Sequence, residues 1–411
     1  MDPHPVRSPG PNAPRPARHA SRLGAVLALG ALVGLAACAP QAPQGYYARP
    51  AAPLFGGAGS MAAPQAPVAA STRIALLLPM SGAQGALGPA MLNAATLALF
   101  ESGARGVELV PRDTTSSAGG ASEAVRSAIA EGARVVVGPL TGPETAAAAG
   151  QARAAGVPVL AFTNDVDQGG GGVWVTGITP AQQVRRLLAA AQRAGIRRAG
   201  LAGPDGPFTS RLAASLRNAS REAGMAPPVI VTYPAGASRS QAAGQLAAQA
   251  GPDGLGLLIL AENGAQAREM AASLAGAGLA SPPMRIAGTV LWAGDPSLTS
   301  EPALAGAWVP GPDPGARNGF EARYQSAFGE RPPRLAATAY DATTAALRSV
   351  RGGDPRAPAA LPVGEPLQGA DGTFRLLPDG QVQRGLAVFA LTPGADLQMV
   401  EPPLLPGAAG S

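Results

Sequence analysis

The sequence predicts an α/β protein in which parallel β-sheets are flanked by helices and arranged in two successive sets of units. From residue 72 onward, short apolar segments alternate with alanine-rich helical segments. Strands separated by helices of this length form parallel sheets with right-handed crossovers. The strand segments are almost continuously apolar, as expected where helices cover both faces of a sheet. The alternation breaks near 173–183 and then restarts.

The N-terminal segment predicts a secreted protein. A basic stretch ends at Arg22, an apolar run covers 23–35, and the residues LAAC occupy 35–38. The run is too short for a permanent membrane-spanning helix and has the length of a signal-peptide core. We therefore expect residues 1–37 to be a signal peptide and residues 38–71, rich in Pro, Ala, Gln and Gly, to be an extended tether.

The LAAC segment resembles a bacterial lipobox, in which the cysteine is lipidated. Cys38 is the only cysteine of the chain, so no disulfide can form within it. The resemblance implies a lipid on Cys38 that attaches the protein to a membrane. Ala39 follows the cysteine instead of an Asp, which in this resemblance favours the periplasmic side of the outer membrane over retention in the inner membrane.

The first set of units is expected over 72–177. Its predicted strands cover 73–78, 107–112, 134–138 and 157–162, and its predicted helices cover 88–101, 119–131 and 143–155. The second set starts with a helix at 180–194, because Thr179 is a good N-cap and Pro180 suits the first helical position. Its predicted strands cover 199–202, 229–233, 255–260 and 285–288.

The C-terminal third returns to helices at 315–328 and 335–350. The dipeptide Asp379-Gly380 lies between apolar segments and predicts a hairpin turn. Residues 397–411 have no periodic pattern and are expected to be a disordered tail.

Composition argues against several classes of function. All 31 basic residues are Arg, and 27 basic and 25 acidic residues follow the predicted signal peptide without forming a basic run. Binding of nucleic acid is therefore not expected. The glycines at 82, 85 and 88 do not have the spacing of a dinucleotide-binding loop, and a chain without Lys has no P-loop. This loop is either a tight packing turn or a loop at a helix N-terminus that holds a polar ligand or forms an interface.

Catalysis is also not expected. Both histidines, His4 and His19, lie in the predicted signal peptide. Without them the chain has no His, Lys or free thiol for a catalytic triad, a Schiff base or a His-ligated zinc site. Asp165 and Asp167 could form a carboxylate pair, although turn formation beside the glycines at 169–172 is the simpler interpretation. No cofactor or metal is predicted.

Several segments together resemble the type 1 periplasmic binding proteins. They are RIALLLPMSG at 73–82, VVVGPLTGPETAAAA at 135–149, GVPVLAFTND at 156–165, GITPAQQ at 177–183, RYQSAFGERPPRLAATAYDA at 323–342 and GADGTFRLLPDG at 369–380. The resemblance covers about 72–391. It implies two α/β lobes, a ligand cleft between them and three crossings of the chain, which we place near 175–178, 308–311 and 367–371. The expected lobes are 72–177 with 311–366, and 178–310 with 367–396.

The resemblance also implies candidate cleft residues. The loops that hold a ligand carboxylate in amino-acid binders correspond to Thr141 and Gly142, and to Thr163 and Asn164. Ser81 and Gly82 are expected to face the gap. Aromatic positions of the family fall at Leu87 and Phe208, and the family's acid for the ligand ammonium is replaced by Thr289 and Val290. Asn263 and Trp292 complete the candidate set, and for Trp292 a packing role is equally plausible.

Two branches of the family are similar to this sequence. The penicillin-binding protein activator lipoproteins share the opening segments and the lipobox, and they contact a peptidoglycan synthase. The leucine/isoleucine/valine-type proteins deliver amino acids or another small polar ligand to an ABC permease. The predicted anchor, the tether and the missing acid favour the activator branch, with the importer branch as the alternative.

Overall fold

The computed structural model describes residues 71–279, 281–351 and 359–407. The predicted signal peptide, Cys38 and all but the last residue of the predicted tether lie outside these residues. None of the helices in the described ranges is long and apolar enough to span a bilayer.

The chain first builds a parallel α/β layer. Its elements are β1 (Thr72–Leu78), α1 (Gly88–Ser102), β2 (Val107–Asp113), α2 (Ala118–Ala130), β3 (Ala133–Val137), α3 (Gly142–Ala154), β4 (Val159–Ala161) and β5 (Val173–Val175). The strand order is β2-β1-β3-β4-β5, and every neighbouring pair is parallel. Apolar clusters cover both faces of this sheet, as the continuous apolar strands predict.

A second α/β layer follows. Its elements are α4 (Pro180–Arg193), β6 (Ala199–Pro204), α5 (Pro207–Glu222), β7 (Val229–Tyr233), α6 (Arg239–Ala250), β8 (Leu257–Leu260), α7 (Gly264–Gly276), β9 (Arg285–Ala287) and β10 (Trp308–Gly311). The start of α4 is confirmed: Thr179 and Gln182 form a capping box, and Pro180 occupies the first turn.

The remaining chain returns to the first layer and then to the second. It forms α8 (Pro314–Phe328), α9 (Ala336–Val350), β11 (Pro366–Gly369), β12 (Gly372–Leu376), β13 (Val382–Arg384), β14 (Leu386–Ala390) and β15 (Gln398–Leu404). The second sheet has the order β15-β14-β10-β9-β8-β6-β7, and β11-β12-β13 form a small antiparallel sheet. We call the first layer with α8, α9 and β11–β13 the first lobe, and the second layer with β14 and β15 the second lobe.

The third crossing lies later in the chain than the sequence suggests. Leu367, Phe374 and Leu376 are buried in the core of the first lobe, so residues 367–371 do not lead into the second lobe. The reason is the alternating pattern of β12, which buries Gly372, Phe374 and Leu376 on one face. The predicted hairpin at Asp379-Gly380 joins β12 to β13, and the chain crosses only between β13 and β14.

The segment expected to be a disordered tail contains a strand. Residues 398–404 form β15, which pairs antiparallel with β14 at the edge of the second sheet. The pairing uses the backbone, so it leaves little trace in the side-chain pattern. Pro402 and Pro403 are compatible with an edge strand, which has one side without a partner. Residues 408–411 lie outside the described ranges.

A buried ion pair joins the first lobe to the crossing segments. The side chains of Arg384 and Asp341 are 1% and 0% exposed, and their charged groups are in direct contact. Arg384 Nη2 also donates to the carbonyl oxygen of Thr176 at the first crossing (3.1 Å), and the N–H of Ala370 donates to Asp341 Oδ1. Burial raises the pKa of Asp341, and Arg384 opposes that rise. The pair therefore connects α9, β13 and the segment after β5.

The core of the second lobe is built around Trp292. This side chain is 1% exposed, and its Nε1 donates to the carbonyl oxygen of Glu262 (2.7 Å). A Cβ atom at Gly288 would lie 1.9 Å from Trp292 Cδ2. Because no side-chain carbon fits at that distance, the Trp292 ring requires glycine at position 288.

We expect Asp341→Asn to lower the free energy of unfolding by about 3–5 kcal/mol, because it removes the carboxylate in direct contact with the buried Arg384 guanidinium. Chemical denaturation measures the effect. Glu123→Gln is the control, since the exposed Arg126–Glu123 pair should contribute less than about 1 kcal/mol. Equal losses of stability in the two variants would contradict the conclusion that the buried Arg384–Asp341 pair stabilises the fold.

We expect Gly288→Ala to destabilise the protein by about 1–3 kcal/mol through overpacking against Trp292, with a change in tryptophan fluorescence of the native state. The matched control is Gly244→Ala, in the middle of α6, where an added Cβ meets no atom within 4 Å. That substitution should stabilise the helix by about 0.5–1 kcal/mol. A stabilising Gly288→Ala would show that the Trp292 ring can move aside.

Candidate functional site

The candidate residues lie in loops at the carboxyl ends of the parallel strands, where ligands bind in open α/β sheets. In the first lobe, Ser81 and Gly82 follow β1, Thr141 and Gly142 follow β3, and Thr163 and Asn164 follow β4; in the second lobe, Phe208 follows β6, Asn263 follows β8, and Trp292 follows β9. Leu87 is the N-cap of α1. Each lobe therefore contributes a row of loops at one edge of its sheet.

The first glycine loop is held by Asp113. Ser81 Oγ donates to Asp113 Oδ2 (2.6 Å), and the N–H groups of Met80, Ser81 and Thr115 donate to Oδ1 (2.9, 3.1 and 2.7 Å). Partial burial acts to raise the pKa of Asp113, but these hydrogen bonds lower it overall. A Cβ at Gly82 would lie 2.4 Å from the carbonyl oxygen of Thr115. The loop is thus a close-packed turn with an ionised carboxylate beneath it.

The loop after β3 caps the helix that follows it. Thr141 and Glu144 form a capping box at the start of α3. Glu144 is 1% exposed, and its Oε1 accepts a hydrogen bond from Thr114 Oγ1 (2.6 Å). The Thr141 hydroxyl donates to Glu144 Oε2 (2.7 Å). The hydroxyl of Thr141 and the carboxylate of Glu144 are therefore both hydrogen-bonded within the first lobe.

The loop after β4 places a carboxylate beside the start of α3. The Asp165 N–H donates to Thr163 Oγ1 (3.0 Å). A Cβ at Gly142 would lie 2.8 Å from Asp165 Oδ2. Asp165 is therefore close to Gly142 and Thr163, two of the four residues expected to hold a ligand carboxylate.

Arg211 reaches Asp165 from the second lobe. Arg211 Nη2 on α5 lies 2.8 Å from Asp165 Oδ1 and 3.5 Å from Asp167 Oδ2. The Arg211 side chain is 33% exposed and that of Asp165 is 15% exposed, so water can reach the pair. It is an ion pair between the lobes, in direct contact with the candidate site.

A second contact between the lobes involves Arg334, just before α9. Arg334 Nη2 donates to the carbonyl oxygen of Val290 (3.0 Å), and Arg334 Nη1 would lie 2.9 Å from a Cβ at Gly294. Burial lowers the pKa of Arg334. Val290, which stands where the family acid is expected, therefore contributes a backbone carbonyl to a contact with the first lobe.

The second lobe has a buried acid beside Asn263. Glu262 follows β8, is 4% exposed, and its Oε1 lies 2.7 Å from Arg239 Nη2. Burial raises the pKa of Glu262, while Tyr233 and Arg239 oppose the rise. The Arg239 guanidinium lies over the Tyr233 ring, 5.6 Å from its centroid. These three side chains form one polar cluster at the carboxyl edge of the second sheet.

The structure separates the candidate residues into two groups. Asn164 and Asn263 are exposed, and their side-chain amides make no hydrogen bond within the part of the chain that is described. Leu87 and Phe208 pack against the cores of their own lobes. Trp292 is buried in the core of the second lobe.

A cavity of about 310 Å³ adjoins the ion pair between the lobes. Its polar lining consists of Asp167 and Gln381 of the first lobe and of Arg185, Arg211, Ser215, Asn218 and Glu222 of the second lobe. The described residues contain no cluster of His, Cys, Asp or Glu suited to a metal ion. The arrangement suits binding of a polar organic molecule.

Sequence reasoning missed Arg211 and Glu262, and for Asp165 it preferred turn formation over a carboxylate pair with Asp167. Asp165 could have been suspected, because it directly follows Thr163 and Asn164. Nothing in the sequence around Arg211 suggests a role in the site, since Arg211 lies 46 positions after Asp165 on a helix that contains several arginines. Only the packing of the two lobes brings these residues together.

Comparison with known proteins agrees with this architecture. The family model described as "Periplasmic binding protein" matches residues 71–396. No curated protein matches the chain.

Solved structures show the same fold. The branched-chain amino acid ABC transporter periplasmic ligand-binding protein from Burkholderia xenovorans is 17% identical with a TM-score of 0.66, and the match covers 81% of this chain and 96% of that one. An ABC transporter solute-binding protein from R. palustris, solved with benzoate, is 19% identical with a TM-score of 0.56 and coverages of 83% and 99%.

A third similar structure is the branched-chain amino acid transporter substrate-binding protein LivJ from Streptococcus pneumoniae, in complex with isoleucine. It is 18% identical, with a TM-score of 0.55 and coverages of 81% of this chain and 100% of that one. At these identities the structures establish the fold alone. Together with the family match over most of the chain, they lead to one conclusion: the chain belongs to the type 1 periplasmic binding protein family.

Proposed function

We propose that the protein is the substrate-binding component of an ABC importer and binds an amino acid or another small polar ligand between its lobes. The observation that carries the proposal is the Arg211–Asp165 ion pair, which joins the second lobe to the first beside Gly142 and Thr163. A ligand in the cleft contacts groups of both lobes, so its binding is linked to closure about the crossings.

Charge at this site bears on the ligand. Asp165 is a carboxylate near the residues that would otherwise receive a ligand carboxylate, and it repels a second anion there unless Arg211 is shared. Asp165 also provides an acid for a ligand ammonium group, a role that Thr289 and Val290 cannot fill. A ligand with a cationic or neutral polar group near Asp165 fits this arrangement best.

The resemblance to penicillin-binding protein activators favours a different role, contact with a peptidoglycan synthase. The similar structures are named as substrate-binding or solute-binding proteins of ABC transporters. They support the importer function better than the activator function. The exposed amides of Asn164 and Asn263, which make no other hydrogen bond in the described chain, are also consistent with ligand contact.

We further propose that a lipid on Cys38 anchors the protein on the periplasmic side of the outer membrane. The support is the order of basic residues, apolar run and LAAC segment at 1–38.

Thermal unfolding of the protein with single amino acids tests the binding function. We expect one or more amino acids to stabilise it, by about 2.7 kcal/mol at 100 times the Kd. Arg211→Gln should weaken that stabilisation, because it removes the ion pair between the lobes. Arg217→Gln on the same helix, an exposed residue without a hydrogen bond in the described chain, should leave it unchanged.

Stabilisation by peptidoglycan fragments but by no amino acid would contradict the importer function and favour the activator function. If an amino acid stabilises the Arg211→Gln variant as strongly as the wild type, its site does not depend on the Arg211–Asp165 contact.

For the anchor, we expect Cys38→Ser to move the protein from the membrane fraction to the soluble periplasmic fraction, because serine offers no thiol for lipidation. Cell fractionation followed by immunoblotting measures this. Cys38 is the only cysteine, so the substitution removes no disulfide. Unchanged membrane association would exclude anchoring through Cys38.

A further inference from the structure

A second cavity lies on α4, between that helix and the C-terminal strands. Its volume is about 200 Å³, below the range for drug-sized ligands. Three arginines contribute to its lining, namely Arg185, Arg186 and Arg384. The remaining lining residues are Gln182, Ala189, Gln383, Leu404 and Pro406.

Arg186 is buried with part of its guanidinium unsatisfied. The residue is 5% exposed. Its Nε donates to the carbonyl oxygen of Leu386, and its Nη2 donates to that of Pro402 (2.8 Å). Its Nη1 is buried and has no hydrogen-bond acceptor among the described residues. A buried N–H group without an acceptor is costly, so a bound acceptor would stabilise the side chain.

Arg384 also has a buried N–H group without a hydrogen-bond acceptor. It is 3% exposed and is held by Asp341 and by the carbonyl oxygen of Thr176. Its Nε is buried without an acceptor in the described part of the chain. Arg186 and Arg384 both contribute to the lining of the cavity, and each has one donor without an acceptor in the described chain. Because the Arg384 guanidinium lies against Asp341 and the Phe374 ring, Arg185 and Arg186 are the arginines available to a ligand.

Positive charge predominates around the cavity. Asp341 is engaged by Arg384. Glu401 lies 3.8 Å from Arg186 Nη2 but only 2.7 Å from Arg193 Nη2. Arg185 is exposed and has no hydrogen bond or ion pair within the described ranges. Asp371, which also attracts Arg384, is paired with Arg317. Three carboxylates thus face five guanidinium groups, and burial together with Arg193 lowers the pKa of Arg186.

The excess of positive charge favours an anionic ligand, and the apolar lining of the cavity limits which anions can bind there. Ala189, Leu404, Pro406 and the aliphatic stems of the arginines give the cavity a largely apolar lining. A planar carboxylate matches the donor geometry of a guanidinium group, and an apolar body attached to it matches the walls. We propose that this cavity binds a small monocarboxylate with an apolar body, at a site separate from the cleft between the lobes.

Benzoate is a suitable probe, with neutral benzamide as its isostere. We expect benzoate, but not benzamide, to raise the Tm of the protein and to bind in isothermal titration calorimetry. Ala189→Glu places a competing carboxylate in the cavity at a partly exposed helical position and keeps all three arginines. This variant should lose at least tenfold in benzoate affinity at one site, so that the binding stoichiometry falls by one.

The matched control is Ala214→Glu, which makes the same substitution on α5 in the lining of the cavity beside Arg211. It should retain benzoate binding at the α4 cavity, and Arg185→Gln should weaken it. The proposal is overturned if benzoate does not bind, if benzamide binds equally well, or if Ala189→Glu leaves both affinity and stoichiometry unchanged. In the last case benzoate occupies only the cleft, a result that would leave the proposed importer function intact.

Discussion

The buried contact between Arg384 and Asp341 fixes the connection between the lobes. Removing two charges from water is costly, and the cost is offset only where both groups are close together and hydrogen-bonded. Here that condition requires α9, β13 and the segment after β5 to be in place together, because Arg384 also binds the Thr176 carbonyl oxygen. Arg384, Asp341 and the Thr176 carbonyl oxygen therefore hold the first and third crossings together. The second crossing leads from β10 to α8 of the first lobe.

The contacts on the cleft side have the opposite character. Arg211 is 33% exposed and Asp165 is 15% exposed, so water screens their attraction, and the pair can separate where water or a ligand group replaces the lost partner of Asp165. Arg334 binds a backbone carbonyl oxygen, that of Val290, and not a buried acid. A firmly held pivot combined with weak contacts at the mouth of the cleft is the arrangement that hinge closure needs.

Local signals predicted most of the fold. The strand at 229–233, the cap at Thr179 with Pro180 and the hairpin at Asp379-Gly380 each depend on neighbouring residues, and the structure confirms them. The third crossing was placed too early, and β15 lies in a segment predicted to be a disordered tail, because both features depend on partners distant in the chain. The candidate site was predicted only as loops. The ion pair between Arg211 and Asp165 arises from the packing of two lobes, which no local pattern encodes.

Asp165 also links the fold to the choice of ligand. Its N–H is held by Thr163 and its carboxylate lies against Gly142, so its position follows from the two loops expected to receive a ligand. A ligand carboxylate placed there must draw Arg211 away from Asp165, and Asp165 is then left without its counter-ion. A ligand ammonium group can instead contact Asp165 while Arg211 stays in place, so that Asp165 remains paired. Because an unpaired, largely buried carboxylate is unfavourable, the site should discriminate by the charge of the group nearest Asp165 more than by the ligand's shape.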